Sequence, residues 1–253
     1  MPNAGDIAMP RGAPTDAKVI FTHVPKVAGT SVMRRLVRPN YAPDEIRTFR
    51  GVRDLLSRRD AFRVLVGHSV YGMHHFTSGR CRYFTMLRNP VDRAISHYFF
   101  IKQPPLNPDF KGNAAQQVLH QRVALKDIFD QTASKKRHCM GTWLVDNMQT
   151  RYVAGYAHYW KPADSPSLLA AAKRNLRERY AVFGLQNEFQ ESLSRISDAF
   201  GWDIGAENAR RAKQTRIEKT MDDEDRAAVE RWNQLDMELF DFAQELFRQK
   251  ALV

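Results

Sequence analysis

The stretch VIFTHVPKVAGTS, residues 19–31, decides the fold class of this chain. Its apolar start predicts a short buried strand over Lys18–Val24, and the loop that follows enters a predicted helix, Thr30–Val37. One lysine, one glycine and two hydroxyls lie at this junction: Lys26, Gly29, Thr30 and Ser31. Backbone N–H groups at a helix start, a small residue and nearby cationic and hydroxyl groups favour a phosphate or sulfate ligand. The stretch therefore predicts a strand, an anion-binding loop and a helix.

The order of residues in this loop differs from that of the ATP-binding Walker A loop. There the lysine directly precedes the Ser or Thr, whereas Lys26 lies four positions before Thr30. A P-loop kinase would also need an apolar strand that ends in Asp to hold Mg²⁺, and no predicted strand in this chain ends in that way. A P-loop-type nucleotide kinase is therefore the weaker enzymatic alternative.

A second strand-to-helix junction occurs in LRNPVDRAISHYFF, residues 87–100. The apolar run Tyr83–Leu87 predicts a strand that leads into Arg88. Asn89 then suits the N-cap and Pro90 the first turn of a helix over Val91–Lys102.

Strands and helices alternate along the chain. Two more strands are predicted, Phe62–Gly67 and Ala181–Leu185, and Pro39 and Pro43 are expected to end the first helix. Further helices are predicted over Val52–Arg59, Ala114–Gln131, Thr142–Val153, Ser167–Arg179, Glu188–Phe200 and Met221–Lys250. This order indicates an α/β fold with a P-loop-like, mainly parallel β-sheet flanked by helices and a helix-rich C-terminal half. Ligands of such sheets bind at the carboxyl ends of the strands.

Together, the PKVAGTS loop at 25–31 and LRNPVDRAISHYFF at 87–100 resemble the two cofactor-binding motifs of sulfotransferases that use 3′-phosphoadenosine 5′-phosphosulfate (PAPS). The resemblance is to the carbohydrate branch, which includes heparan sulfate 2-O-sulfotransferase and many bacterial relatives. It is close over about 19–101 and looser through 147–151, 181–185 and 236–240. Val27 stands where the family most often has Thr, and Asn89 stands where Asp is commoner.

The resemblance implies PAPS as sulfuryl donor and assigns residues to it. The 5′-phosphosulfate would be bound by Pro25, Lys26, Ala28, Gly29, Thr30 and Ser31. Arg88 and Ser96 would hold the 3′-phosphate, the group that distinguishes PAPS from ordinary adenine nucleotides. Lys26 would also stabilise the charge that develops on the leaving phosphate. Arg93 is expected to have a structural, ion-pairing role.

His68 is the predicted general base. It follows Gly67 at the end of a predicted strand, and the pair resembles the Gly-His segment that carries the catalytic histidine of the 2-O-sulfotransferase branch. A histidine that titrates near neutrality suits removal of a sugar hydroxyl proton. His23 is expected to pack near the loop, and Glu188 to be structural with a second role as base. The neighbours His74 and His75 project in different directions, and no metal is expected.

The charge of the chain favours anionic partners. Its 253 residues carry 39 Lys and Arg against 28 Asp and Glu, a net charge of +11. Nine arginines between residues 34 and 63 suit either an acceptor-binding patch or a solvated face. A non-catalytic basic protein that binds an anion or glycan is the alternative from a different class. No nucleic-acid-binding motif is visible, so nucleic acid is not expected. The expected acceptor is a small-molecule or glycan hydroxyl, and an anionic acceptor would suit the charge.

Composition also bounds the organisation of the chain. We expect a disordered tail over 1–17 and a single sulfotransferase domain over 18–253. No apolar run reaches the length of a membrane span, and residues 1–18 lack the apolar core of a signal peptide. With only Cys81 and Cys139, the chain is expected to be a reduced, cytoplasmic, bacterial-type soluble enzyme. The apolar stripe of the last predicted helix suits core packing or a homodimer, and the basic cluster at 210–216 suits a nucleotide-closing loop or a solvated linker.

Overall fold

A five-stranded parallel sheet forms the centre of the fold. The computed structural model describes residues 17–57, 61–101, 146–162, 165–206 and 221–249. The strands are β1 (Lys18–Thr22), β2 (Ile46–Thr48), β3 (Val64–Val66), β4 (Cys81–Leu87) and β5 (Tyr180–Leu185). They pair in the order β2-β3-β1-β4-β5, and every pairing is parallel. The predicted α/β fold is confirmed.

Both faces of the sheet are buried, which explains the apolar runs Val19–Phe21 of β1 and Val64–Val66 of β3. Successive side chains of a strand point to opposite faces. Ile20 accordingly packs in one hydrophobic cluster, while Val19 and Phe21 pack in the other. Phe21 also stacks on Phe84 of the neighbouring strand with the ring centroids 4.5 Å apart. This packing fixes β1 at the centre of the sheet.

The first helix continues past its predicted end. Helix α1 begins with Gly29–Val32, widens into a π-helical turn over Met33–Val37 and extends through Arg38–Asn40. The prediction that Pro39 would end it was wrong. The side-chain amide of Asn40 donates a 2.7 Å hydrogen bond to the Leu36 carbonyl, so that carbonyl is satisfied after the wider turn.

The remaining helices flank the sheet and fill the C-terminal half, as predicted. They are α2 (Val52–Ser57), α3 (Pro90–Ile101), α4 (Met148–Ala154), α5 (Pro166–Glu178), α6 (Phe189–Phe200), α7 (Asp223–Trp232) and α8 (Gln234–Gln249). A short 3₁₀ turn, Gln186–Glu188, precedes α6. Strand β2 was not predicted, because this three-residue edge strand is too short to show a period.

The single helix predicted over Met221–Lys250 is instead two helices, divided at the buried residue Asn233. The Asn233 side-chain amide donates to the Val229 carbonyl at 2.8 Å. Its Oδ1 accepts a 3.2 Å hydrogen bond from the Asn147 backbone N–H, 86 residues away in sequence. A tertiary contact, which helical periodicity does not reveal, therefore sets the break.

The apolar stripe of α8 belongs to the core. Leu239, Phe240 and Ala243 are buried in the same cluster as Leu168 and Ala171 of α5. This packing accounts for the stripe on that face, and a homodimer stays a prediction.

Several predictions lie outside the described residues: the tail apart from Ala17, the helix at 114–131, the start of the helix at 142–153, and the basic cluster at 210–216. The single-domain organisation also stays a prediction. Among the described helices, none is long and apolar enough to cross a membrane. The cytoplasmic location stays a prediction.

Candidate active site

Three loops meet at the carboxyl edge of the sheet because β1 lies between β3 and β4 and all three strands run in the same direction. They are the loop at 23–28 after β1, the turn with His68 after β3, and Arg88 after β4. The structure thus brings together residues that are up to 65 positions apart in the sequence. The predicted site segments lie at the edge where open parallel sheets bind their ligands.

The loop after β1 has a strained backbone. Lys26 has φ 71° and Ala28 has φ 67°, both in the left-handed region that residues other than glycine rarely adopt. Ala28 is the N-cap of α1, and no side chain caps this helix start. The N–H groups of Ser31 and Val32 donate to the Ala28 carbonyl at 2.9 and 3.1 Å. Turns of this kind gather backbone N–H groups into a concavity that binds anions.

Gly29 is required by a neighbouring side chain. A Cβ atom at Gly29 would overlap the imidazole of His23. That ring also stacks on Phe21 with centroids 5.0 Å apart and planes 10° from parallel. Burial and, to a lesser extent, the nearby His68 together lower the pKa of His23 from 6.5 to about 3. His23 is therefore a neutral packing residue beneath the loop, as the sequence analysis expected.

His68 is exposed and is held by the same loop. Its Nδ1 lies 3.0 Å from the backbone carbonyl oxygen of His23, and the two imidazole centroids are 4.8 Å apart. A carbonyl only accepts, so Nδ1 carries the proton in this contact and Nε2 of the neutral ring is left with a lone pair. The arrangement suits a proton acceptor at Nε2.

Arg88 reaches the β1 loop from the other side. Its Nη1 donates to the Lys26 carbonyl at 3.2 Å. Its Nε is buried and has no hydrogen-bond partner in the described part of the chain. Burial lowers the pKa of the Arg88 guanidinium, whereas Asp92 favours the charged form. A half-buried cation with an unused donor is a site for an anion.

Helix α3 carries Ser96 and a ring that contacts Lys26. The Lys26 ammonium lies 4.2 Å from the centroid of the Phe100 ring. Ser96 is buried on the same helix, and residues four apart share a helix face. The helix start follows the prediction, because Oδ1 of Asn89 accepts a 3.1 Å hydrogen bond from the Asp92 N–H.

Gln149 is a site residue that the sequence analysis missed. Its Oε1 accepts from the Arg88 backbone N–H at 2.9 Å, and its Nε2 donates to the Arg88 carbonyl at 2.8 Å. One carboxamide thus satisfies both backbone groups of Arg88. The available signal was the looser family resemblance at 147–151, which did not identify a role for this residue.

Asp236 on α8 supports Gln149 and was also missed. Its buried carboxylate accepts from the N–H groups of Gln149 at 3.1 Å and Thr150 at 2.7 Å, and from the Thr150 hydroxyl at 2.7 Å. Arg93 of α3 is fully buried nearby, and its Nη1 lies 3.3 Å from the Met148 sulfur. Burial lowers the pKa of Arg93 to about 10, whereas Asp236 favours its charged form. Arg93 is therefore part of the buried support, in agreement with its expected structural role.

Glu188 lies away from His68. It belongs to the turn after β5 and lines a groove of about 420 Å³ with residues of α6 and α8. Three strand spacings, about 14 Å, separate β5 from β3. The position gives no support to a second role as base for Glu188. In the described part of the chain, no group of three or more His, Cys, Asp or Glu side chains could hold a metal ion. Metal-independent chemistry stays a prediction.

The fold and these loops define an α/β protein with a candidate anion-binding site at the carboxyl edge of a parallel sheet. The profile of the Sulfotransferase family matches residues 13–243, and the chain belongs to this family.

Two individual proteins illustrate the similarity. Heparan sulfate 2-O-sulfotransferase hst-2 of Caenorhabditis elegans is 21% identical over 208 residues, which cover 72% of this chain and 60% of the worm protein. This chain thus matches less than two thirds of the length of that curated relative. Mouse sulfotransferase SULT7A1, solved in complex with PAP, has a TM-score of 0.38 and 13% identity, covering 76% of this chain and 61% of the mouse chain.

Proposed function

We propose that this protein transfers the sulfuryl group of PAPS to a hydroxyl group of a carbohydrate acceptor. One observation carries the proposal: the short loop after β1 holds two functional side chains at once. The His23 carbonyl orients His68, and the Lys26 carbonyl accepts from Arg88. A proton acceptor and an anion-binding cation are thereby attached to the same strained loop.

The residues present suit a ligand with two anionic ends. The left-handed positions at Lys26 and Ala28 favour one anion at the loop, and the unpartnered Nε of Arg88 favours a second beside it. PAPS carries a 5′-phosphosulfate and a 3′-phosphate. Ordinary adenine nucleotides lack the 3′-phosphate and would leave the Arg88 donor unused.

The loop residues bind and stabilise charge. PAPS supplies the SO₃ unit when bound, and the product nucleotide is 3′-phosphoadenosine 5′-phosphate (PAP). Lys26 stabilises the charge on the leaving phosphate. The loop Pro25–Ser31 holds the 5′ end through the backbone N–H groups of Gly29 and Thr30 and through the hydroxyls of Thr30 and Ser31. Arg88 and Ser96 hold the 3′-phosphate.

His68 removes the acceptor proton. Its Nε2 accepts the proton of the acceptor hydroxyl as the new O–S bond forms and the bond from sulfur to the leaving phosphate oxygen breaks. The hydrogen bond from Nδ1 to the His23 carbonyl keeps Nε2 as the basic nitrogen. His68 therefore becomes a cation as the leaving phosphate gains negative charge.

The acceptor is proposed to be an anionic carbohydrate. Heparan sulfate 2-O-sulfotransferase is the activity named for the worm relative. Arg50 is exposed and follows β2 by two residues, as His68 follows β3 by two. The register pairs Thr48 with Val66, and the Phe49 N–H donates to the Val66 carbonyl at 2.8 Å. Arg50 thus lies just past the end of β2, at the same carboxyl edge of the sheet as His68, where its charge would attract a carboxylate or sulfate on the sugar.

Calorimetric titration with PAP, AMP and Mg·ATP tests the donor site. The expected result is metal-independent binding of PAP and weaker binding of AMP, which lacks the 3′-phosphate. Transfer of labelled sulfuryl from PAPS to uronic-acid-containing glycans, compared with neutral glycans, tests the acceptor. If the folded protein does not bind PAP, or binds Mg·ATP more tightly, the proposal is contradicted. The kinase or the non-catalytic binding alternative would then be favoured.

A further inference from the structure

We infer that Gln149 is a positioning residue that makes the site selective for nucleotides with a 3′-phosphate. The inference rests on the proposed function, in which Arg88 binds that phosphate. Gln149 contacts neither end of the ligand in this scheme. It acts through Arg88, and its support comes from Asp236 on α8.

The Gln149 side chain makes hydrogen bonds to the Arg88 backbone like those that a neighbouring strand would make. Its two hydrogen bonds, 2.9 and 2.8 Å, satisfy the N–H and C=O of the residue that directly follows β4. A backbone held through both polar groups has little freedom to rotate. The Cα–Cβ direction of Arg88 is therefore set before any ligand binds.

The guanidinium itself is held more loosely than the backbone. Nη1 donates a 3.2 Å hydrogen bond to the Lys26 carbonyl, and Nε has no partner in the described residues. No ion pair joins Arg88 to an acidic side chain among these residues. A guanidinium binds an anion most tightly when its direction is already fixed, because less conformational entropy is lost on binding. Gln149 supplies that fixed direction.

Gln149 is a rigid support because it is itself held in place. It is 1% exposed, and its own N–H donates to the buried carboxylate of Asp236. The Asp236 backbone N–H donates in turn to Oδ1 of Asn147, at 3.1 Å. This network connects the C-terminal helix to the end of β4 without any exposed link. A shift of α8 would therefore displace Gln149 and, with it, the backbone of Arg88.

The matched control is Asn175 on α5. Its buried amide donates to the carbonyls of Val153 and Ala154 at 3.0 and 3.1 Å, at the other end of the short helix α4. Asn175→Leu and Gln149→Met each remove two hydrogen bonds from a buried amide without a large change in volume. Of the two variants, only Gln149→Met removes hydrogen bonds to Arg88.

The test measures two quantities for each protein. Calorimetry gives the ratio of the AMP dissociation constant to the PAP dissociation constant, and thermal unfolding gives the melting temperature. Gln149→Met is expected to lower the ratio about tenfold or more while AMP binding changes less than twofold. Asn175→Leu is expected to lower the melting temperature and leave the ratio unchanged. Equal ratios in Gln149→Met, Asn175→Leu and the wild type would reduce Gln149 to a structural residue and overturn the inference.

A second variant covers the case in which Gln149→Met does not fold. Gln149→Glu keeps the shape and the acceptor for the Arg88 N–H, but it places an oxygen against the Arg88 carbonyl. A lower ratio is expected here as well, and an unchanged ratio in the folded variant would overturn the inference. Failure of the proposed function looks different, because the wild type itself would then show no preference for PAP over AMP.

Discussion

The Nδ1 atom of His68 lies 3.0 Å from the backbone carbonyl oxygen of His23, so the loop after β1 sets the orientation of the proposed base. His68→Gln is expected to lower kcat about 10²- to 10⁴-fold, the usual contribution of a positioned general base. PAP affinity should stay within a factor of two, since His68 binds no part of the nucleotide in this scheme. Labelled sulfuryl transfer measures the first quantity and calorimetry the second. The exposed His75, changed to Gln, is the control, and equal activity of the two variants would contradict the assignment.

Arg88→Ala should weaken PAP binding about 10- to 100-fold and leave AMP binding nearly unchanged. Charged hydrogen bonds to a phosphate are stronger than neutral ones, and alanine removes the fork that makes them. Arg88→Lys keeps the charge but not the fork, so we expect partial recovery. Arg80→Ala, at an exposed position before β4, controls for the loss of one positive charge. A similar loss of affinity for both nucleotides would place Arg88 away from the 3′-phosphate.

Lys26→Ala should lower kcat about 10²- to 10³-fold, because it removes a charge that stabilises the leaving phosphate. Lys26 also has φ 71°, so alanine retains the backbone strain of the wild type. Lys26→Gly relieves that strain and is the companion variant. Single-turnover transfer rates and urea unfolding separate the two effects. A full rate in a folded Lys26→Ala protein would exclude this role.

Gly29→Ala should destabilise the fold by about 1–3 kcal/mol, the usual cost of forcing extra volume into a packed site. The added methyl would overlap the His23 ring. In a His23→Ala background that ring is absent, so the same substitution should cost much less. Urea unfolding of the four proteins forms a double-mutant cycle. Additive effects would mean that His23 does not impose glycine at this position.

The free energy of unfolding should fall as the pH falls from 6.5 towards 3. Burial lowers the pKa of His23 to about 3 and that of His74 to about 4, both from 6.5. The unfolded chain therefore binds protons that the folded state rejects. The buried His23 contributes a loss of roughly 1 kcal/mol per pH unit between pH 6.5 and about 3, and the half-buried His74 adds a smaller loss that ends near pH 4. Above pH 6.5 the contribution is fully present.

His23→Asn tests the share of His23 in that loss. Between pH 7.5 and 5.5 its free energy of unfolding should fall by about 1 kcal/mol less than that of the wild type. The wild-type protein provides the comparison slope. If the free energy of unfolding of His23→Asn depends on pH as steeply as that of the wild type, the folded protein protonates His23 as readily as the unfolded chain does.

Local signals were sufficient for the architecture. Apolar runs predicted β1 and β4, and the loop residues Lys26 and Gly29 predicted an anion site at the edge where the strands end. The Asn89-Pro90 helix start was equally readable, because an N-cap bond spans only three residues. Each of these features depends on neighbours a few positions away, which is the range over which sequence patterns report.

Contacts between distant segments decided the rest. Pairing with β3 makes a strand of Ile46–Thr48, and the bond from Asn147 divides the C-terminal helices at Asn233. The sequence by itself predicted which loops form the proposed anion site. Only the tertiary structure determined how Arg88 is held, because Gln149 lies 61 positions away and its support, Asp236, a further 87. The physical reason is that buried polar groups must find partners wherever the packed fold places them, and no local period encodes that choice.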